Sequence, residues 1–195
     1  MGIGKKPQCY IVAGPNGAGK TTFALTYLPM IVECQDFINA DEIAKGLSPL
    51  KFEAGLLQAG KIFLDVLKQK IAARKDFAFE TTLSGRTYLP RIEKWRRNGW
   101  VVTLFYLYVP DAEFSVMRVR QRVLQGGHDI PTEDIFRRYP RSMQNLFAYA
   151  EVCDYTFCLD NTGNQVVPIF EKRFGHPIKI LDNNRFSILR RSFEK

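Results

Sequence analysis

At 195 residues, with 46% apolar and 25% charged side chains, the chain has an ordinary globular balance and enough apolar material for a core, which excludes disorder for most of its length. No apolar run approaches the ~20 residues that cross a bilayer, and the charged start, Met1 to Pro7, leads into an apolar stretch too short for a signal-peptide core; a single-domain, bacterial-type cytoplasmic protein is expected. The 28 Lys and Arg against 20 Asp and Glu give +8, which suits nucleic acid, a membrane surface or phosphorylated small molecules alike, while Cys9, Cys34, Cys153 and Cys158 form no C-x-x-C pair and read as reduced structural thiols.

In chain order, Cys9 to Ala13 reads as a buried strand that ends at Gly14. A glycine-rich loop and a helix over 21–28 follow, with Pro29 at its end. Residues 37–39 form a weak second strand. Asp41 suits the cap of a short helix that stops near Gly46. Residues 52–74 carry an apolar stripe at helical spacing. A strand over 76–80 precedes an amphipathic helix over 88–98, closed by Gly99. Residues 100–109 are almost continuously apolar, the pattern of a strand buried on both faces of a parallel sheet. Helices are expected over 113–125 and 132–150, the second split at Pro140, then a strand over 155–159. Residues 179–181 and 186–189 flank an Asn-Asn turn and read as a terminal hairpin. Strands alternating with helices predict an α/β protein with a mostly parallel, five-stranded sheet in three layers. One domain is expected, with its core over about 7–165 and a small appendage over 166–195.

Gly14-Pro15-Asn16-Gly17-Ala18-Gly19-Lys20-Thr21 matches G-x-x-x-x-G-K-[ST] at every fixed position, between a strand and a helix. In such a loop successive N–H groups point at one phosphate cluster, and the helix N-terminus adds its positive end. Lys20 supplies a charge to the β- and γ-phosphates, and Thr21 offers a hydroxyl to Mg²⁺; Thr22 continues the nucleotide-binding run. There is no N-K-x-D guanine signature and no apolar strand ending in Asp-Glu.

Between residues 118 and 141 stand Arg118, Arg120, Arg122, Arg137, Arg138 and Arg141, without a lysine. Arginine favours planar, bidentate contact with phosphate. Arg118 and Arg122 are one helical turn apart and share a face, whereas Arg120 looks away. Gly126-Gly127 then breaks the helix as a hinge, in the manner of a lid that closes over a nucleotide. His128, which follows, receives no role from its position alone.

Phosphorylation of a hydroxyl calls for a carboxylate beside it. Asn39-Ala40-Asp41-Glu42 follows the second strand, and Glu80-Thr81-Thr82 follows the third. Parallel sheets bind ligands at the carboxyl ends of their strands, so Asp41 and Glu80 are expected to converge on the γ-phosphate. Asp41 is the candidate general base. Glu80 either orients the acceptor or holds Mg²⁺ through water. Asn39, Thr81, Thr82, Ser84 and Arg86 are candidate contacts to a polar acceptor.

The P-loop, Ile38-Asn39-Ala40-Asp41-Glu42, Phe79-Glu80-Thr81-Thr82-Leu83-Ser84-Gly85, Gly126-Gly127-His128-Asp129-Ile130-Pro131 and Asp160-Asn161-Thr162-Gly163 together resemble the zeta-toxin-type P-loop kinases over roughly residues 7–165. The resemblance implies an ATP- or GTP-dependent kinase whose acceptor, in the best-understood members, is the 3′-hydroxyl of the N-acetylglucosamine in UDP-N-acetylglucosamine. It carries the family's base onto Asp41 and its phosphate lysine onto Lys20. Its substrate-binding region falls near Glu80 and Thr82, its lid arginines on Arg122 and on Arg137 or Arg138, and Asp160-Asn161 beside the adenine. It also implies an epsilon-like antitoxin as a separate chain. The long plasmid-borne members carry a large C-terminal extension that this sequence lacks, so a different acceptor is open. Two other readings compete: a nucleic-acid or nucleoside kinase, suggested by the basic charge, and a non-catalytic ATP-binding module.

Overall fold

The computed structural model describes residues 5–48 and 52–193. The strands are β1 (Gln8–Ala13), β2 (Phe37–Ile38), β3 (Phe77–Thr81), β4 (Val101–Tyr108), β5 (Tyr155–Asp160), β6 (Val167–Arg173) and β7 (Lys179–Ile180). The helices are α1 (Lys20–Val32), α2 (Ala40–Leu47), α3 (Phe52–Ala73), α4 (Leu89–Arg97), α5 (Ala112–Leu124), α6 (Thr132–Val152) and α7 (Asn183–Arg191).

One sheet holds all the strands in the order β2-β3-β1-β4-β5-β6-β7. The first five are parallel to their neighbours; β6 and β7 are antiparallel additions. Successive strand residues point to opposite faces, and adjacent positions of β4 show what covers each. Phe105 packs on Phe23 of α1, with ring centroids 5.6 Å apart. Tyr106 bonds Ser142 of α6 across 2.9 Å on the other face. The parallel strands are therefore sandwiched, which is why β1 and β4 read as nearly unbroken apolar runs. All four cysteines are free and buried, and burial pushes the thiols of Cys9, Cys153 and Cys158 up.

The sheet has seven strands, not the five expected. The added pair is β6 and β7, whose hairpin lies one element upstream of the expected one. Residues 183–191, read above as turn and returning strand, form α7 instead. Asp182 caps it by accepting from the Arg185 amide at 2.9 Å, and Arg185 reaches on to Asp160 at 2.8 Å. Leu189 is fully buried, and Phe186 meets Phe170 edge-on. Those side chains recur at helical spacing, which overrides the turn character of Asn183-Asn184.

Two prolines were expected to end or split helices, and neither does. Pro29 and Pro140 lie inside continuous helices. The carbonyls that lose a donor belong to Leu25 and Phe136, residues on exposed faces, where solvent can take the place of the missing donor.

Candidate active site

The carboxyl ends of β1, β2 and β3 meet at the loop over 14–21. Gly19 has φ +81° and forms the N-cap of α1. A Cβ there would sit 2.6 Å from Asn161 Nδ2, so the position demands glycine twice, by backbone and by space. Asn161 Nδ2 donates to the Ala18 carbonyl at 2.7 Å. Arg118 Nη2 donates to the carbonyls of Asn161 and Thr162. The end of β5 is thereby tied to the loop on one side and to α5 on the other.

Lys20 is buried, and its ammonium donates to the Pro15 carbonyl at 3.0 Å. Burial lowers its pKa; the charges of Glu80 and Asp41 oppose the shift, while Arg122 and Arg138 reinforce it. Both carboxylates and two lid arginines thus act electrostatically on the same lysine.

Glu80 and Asp41 are held differently. Thr21 Oγ1 donates to Glu80 Oε2 at 2.8 Å, and Asn39 Nδ2 donates to Thr21 Oγ1 at 3.3 Å. Burial raises the Glu80 pKa, with Lys20 and the Thr21 bond pulling the other way. Asp41 was a candidate cap of α2, but Asn39 takes that position. Its Oδ1 accepts from the amides of Asp41 and Glu42 at 2.8 and 3.2 Å. The Asp41 carboxylate is free of capping and meets His128 Nε2 at 3.2 Å from Oδ2. Burial raises its pKa, but the His128 bond and the charges of His128, Lys20 and Arg122 outweigh that, leaving it below the ordinary value.

A cleft of about 280 Å³ is lined by Gly17, Gly19, Lys20, Thr21, Arg118 and Arg122, among others. Arg122 Nε is buried without a hydrogen-bond partner among the described residues. Arg137 and Arg138 both pair with Asp134 one turn earlier on α6, and Arg120 is exposed. On the acceptor side, Thr81 Oγ1 accepts from the Leu83 amide, and the hydroxyls of Thr82 and Ser84 lie 2.9 Å apart. Arg86 Nε donates to Asn145 Oδ1 at 2.8 Å. Asn145 also donates to the Leu83 carbonyl, and Tyr149 to the Gly85 carbonyl. Asn145 and Tyr149 of α6 therefore fix the segment after β3. No local signal distinguished them in the sequence, since their partners lie 62 and 64 residues away.

No known protein-family profile matches the chain. A protein of uncharacterized function from Haemophilus influenzae is 29% identical over 126 residues, covering 65% of this chain and 88% of that one. Among solved structures, the AvrRxo1-ORF1:-ORF2 complex with ATP matches with TM-score 0.71 at 14% identity over 95% of this chain. This chain spans 64% of the length of that one. The PezAT toxin–antitoxin system of Streptococcus pneumoniae matches with TM-score 0.61 at 16% identity, covering all of this chain and 87% of that one. A gluconokinase from Sinorhizobium meliloti matches with TM-score 0.52 at 14% identity, over 97% of this chain and 91% of that one. The chain has the P-loop kinase fold. Its resemblance to zeta-toxin-type kinases holds at the level of that fold. Among the described residues, no helix is long and apolar enough to cross a membrane.

Proposed function

We propose that this protein is an ATP-dependent kinase, with GTP as the other candidate donor, that transfers the γ-phosphoryl group to a hydroxyl of a nucleotide sugar. By family resemblance that acceptor is UDP-N-acetylglucosamine. One observation carries the kinase assignment: Thr21, at the end of the P-loop, bonds the Glu80 carboxylate at 2.8 Å and Asn39 at 3.3 Å, and Asp41, two residues past Asn39, presents a second carboxylate on the same edge, met by His128 at 3.2 Å. A binding module needs the loop and the lysine. It has no use for a second carboxylate freed from its helix cap, nor for a buried guanidinium nitrogen without a partner among the described residues.

In this proposal the backbone N–H groups over Gly14, Pro15, Asn16, Gly17, Ala18 and Gly19, with Lys20 and the Thr21-Thr22 start of α1, receive the phosphates. Arg118 and Asn161 bound the nucleoside end. Asp41 accepts the acceptor's proton, and Arg122 and Arg138 offset charge on the transferred group. Asn39, Glu80, Thr81, Thr82 and Arg86 border the acceptor.

Thr21 and Glu80 are suited to hold Mg²⁺. Both present hard oxygens, 2.8 Å apart, and a carboxylate whose pKa is raised by burial gains from a cation. No group of three His, Cys, Asp or Glu is arranged for a metal among the described residues. That accords with Mg²⁺, which uses one or two carboxylates and fills its shell with water and phosphate oxygens. The ion would neutralise charge on the β- and γ-phosphates. A separate antitoxin chain belongs to the proposal, since the PezAT neighbour is part of a toxin–antitoxin system.

The test is mass spectrometry of UDP-N-acetylglucosamine after incubation with protein, ATP and Mg²⁺, beside an Asp41→Asn control. Gain of one phosphoryl group with the wild type alone supports the assignment. No gain, with ATP consumed, removes this acceptor and keeps the kinase. No gain and no ATP consumed with any acceptor in a metabolite pool removes the kinase.

A further inference from the structure

Gly126-Gly127-His128 joins α5 to the segment before α6, and phosphoryl transfer as proposed above assigns it no task. Its geometry is built around Arg122. The Gly127 amide donates to the Arg122 carbonyl at 2.9 Å. A Cβ on Gly127 would lie 2.5 Å from Arg122 Cγ and 3.0 Å from Arg122 O, so the arginine stem lies against a position that only glycine fits. Arg122 Nη2 then donates to the His128 carbonyl at 2.9 Å. The loop wraps the arginine and turns the His128 side chain, 15% exposed, onto Asp41, with Nε2 3.2 Å from Oδ2.

The protonation of that contact follows from its partner. A carboxylate only accepts, so the bonded imidazole nitrogen carries the proton. The other neighbour of Nε2 is Arg122 Nη2 at 3.2 Å, a donor, whose acceptor is the His128 carbonyl. One residue thus holds both the candidate base, through its side chain, and the candidate phosphate-side cation, through its backbone.

We propose that His128 is a positioning residue for the transfer reaction: its imidazole N–H fixes Asp41 Oδ2 and its carbonyl fixes Arg122, leaving Asp41 Oδ1 to face the acceptor. The proposal rests on the kinase assignment. In the step it serves, the acceptor O–H bond breaks and its proton passes to Asp41 Oδ1. A bond forms from the deprotonated acceptor oxygen to the γ-phosphorus. The bond from the γ-phosphorus to the bridging oxygen breaks, and its electron pair stays on ADP. A carboxylate pinned by one oxygen presents the other in a single orientation, and misplacement of a catalytic group by about 1 Å costs up to roughly a hundredfold in rate.

The test uses the full chain as His128→Ala, His128→Gln, Asp41→Asn and the double variant His128→Ala/Asp41→Asn. ADP formation from MgATP, with UDP-N-acetylglucosamine or otherwise a metabolite pool as acceptor, gives kcat and KM, and amide hydrogen exchange over 126–130 is followed without nucleotide. His128→Ala is expected to lower kcat roughly tenfold to a hundredfold, with KM for ATP within about twofold. His128→Gln, which keeps an N–H donor, regains most of the rate. The double variant is no slower than Asp41→Asn, because both changes break one coupled unit. Exchange over 126–130 rises in both His128→Ala and Asp41→Asn, and to a similar extent. Wild-type kcat in His128→Ala, multiplying losses in the double variant, or unchanged exchange in Asp41→Asn each overturns the proposal. If the wild type forms no ADP, the kinase assignment fails, and the exchange comparison alone decides whether His128 holds Asp41.

Discussion

The two carboxylates beside Lys20 belong to different parts of the molecule. Glu80 ends β3 and is bonded through Thr21 to the first turn of α1, with Asn39 behind the threonine. That is a frame of strand ends and helix starts with no lid residue in it. Asp41 lies in the first turn of α2, and the group that meets its carboxylate, His128, comes from the loop between α5 and α6. One carboxylate is set by the frame and the other by the lid. Their pKa directions differ accordingly: burial dominates at Glu80 and raises it, whereas the bond and charges at Asp41 overcome burial and lower it. Pairs of carboxylates whose environments push them apart are suited to different tasks. In the proposed reaction the lid-held anion is assigned as the base, and the frame-held group as the partner of the cation.

The largest expected effect separates these tasks. Asp41→Asn is expected to lower phosphoryl transfer by about 10² to 10⁴, the usual worth of a positioned base. Nucleotide affinity, measured by titration of a fluorescent ATP analogue, should stay within about twofold. The cap of α2 survives, because Asn39 and not Asp41 supplies it. An unchanged rate would take the base away from the lid side.

Glu80→Gln comes next. As a group acting beside a metal, it is expected to cost on the order of tenfold to a hundredfold. The loss should recede as Mg²⁺ is raised, whereas that of Asp41→Asn should not. A magnesium titration of both variants reads this directly. If the two respond alike, frame and lid do not divide the work.

The frame was far more legible in the sequence than the lid. Gly14 to Thr21, Asp41 and Glu80 each follow a strand closely, and a parallel sheet delivers strand ends to one edge. Local spacing therefore sufficed to bring them together. His128 stood inside the Gly126–Pro131 motif, but that motif gave it no role, because its partner lies on another helix far along the chain. Asn145 and Tyr149 were invisible for the same reason. The errors at Pro29 and Pro140 arose because the cost of a helical proline depends on where its orphaned carbonyl points, which a linear reading does not show. At 182–191 an Asn-Asn pair reads as a turn. The decisive facts are the Asp182 cap, the reach of Arg185 to Asp160, and the burial of Leu189, all of them tertiary.

A smaller effect is expected in stability where the frame meets α2. Asn39→Ala removes a cap that satisfies two amides and releases Thr21. A lost cap costs about 1 kcal/mol, which moves the melting temperature of a chain of this size by roughly 2 to 4 °C. Thermal unfolding without nucleotide measures it. A shift under half a degree would mean that α2 is held by packing alone.

The finest separation of the two carboxylates is in the sign of their contribution to stability. A carboxyl whose pKa is lower in the folded than in the unfolded chain stabilises at neutral pH. That contribution is present above the unfolded value, near 4, and is lost as pH falls through the folded value. Asp41 is in this class. A carboxyl raised by burial does the opposite: its ionised form costs stability above the folded value, and the cost fades as pH drops below it. Glu80 is in this class. Without nucleotide or metal at pH 7, Asp41→Asn should therefore lower the unfolding midpoint and Glu80→Gln should raise it, each by about 1 or 2 °C. Asp41 is partly exposed, so its shift is the smaller. The Glu80→Gln difference should narrow as pH falls towards 4, and the Asp41→Asn difference only as pH falls below 4. Midpoints that move in the same direction would place the two carboxylates in one environment. The base could then not be told from the metal-side group by how each is held, and lid and frame would cease to be separate devices.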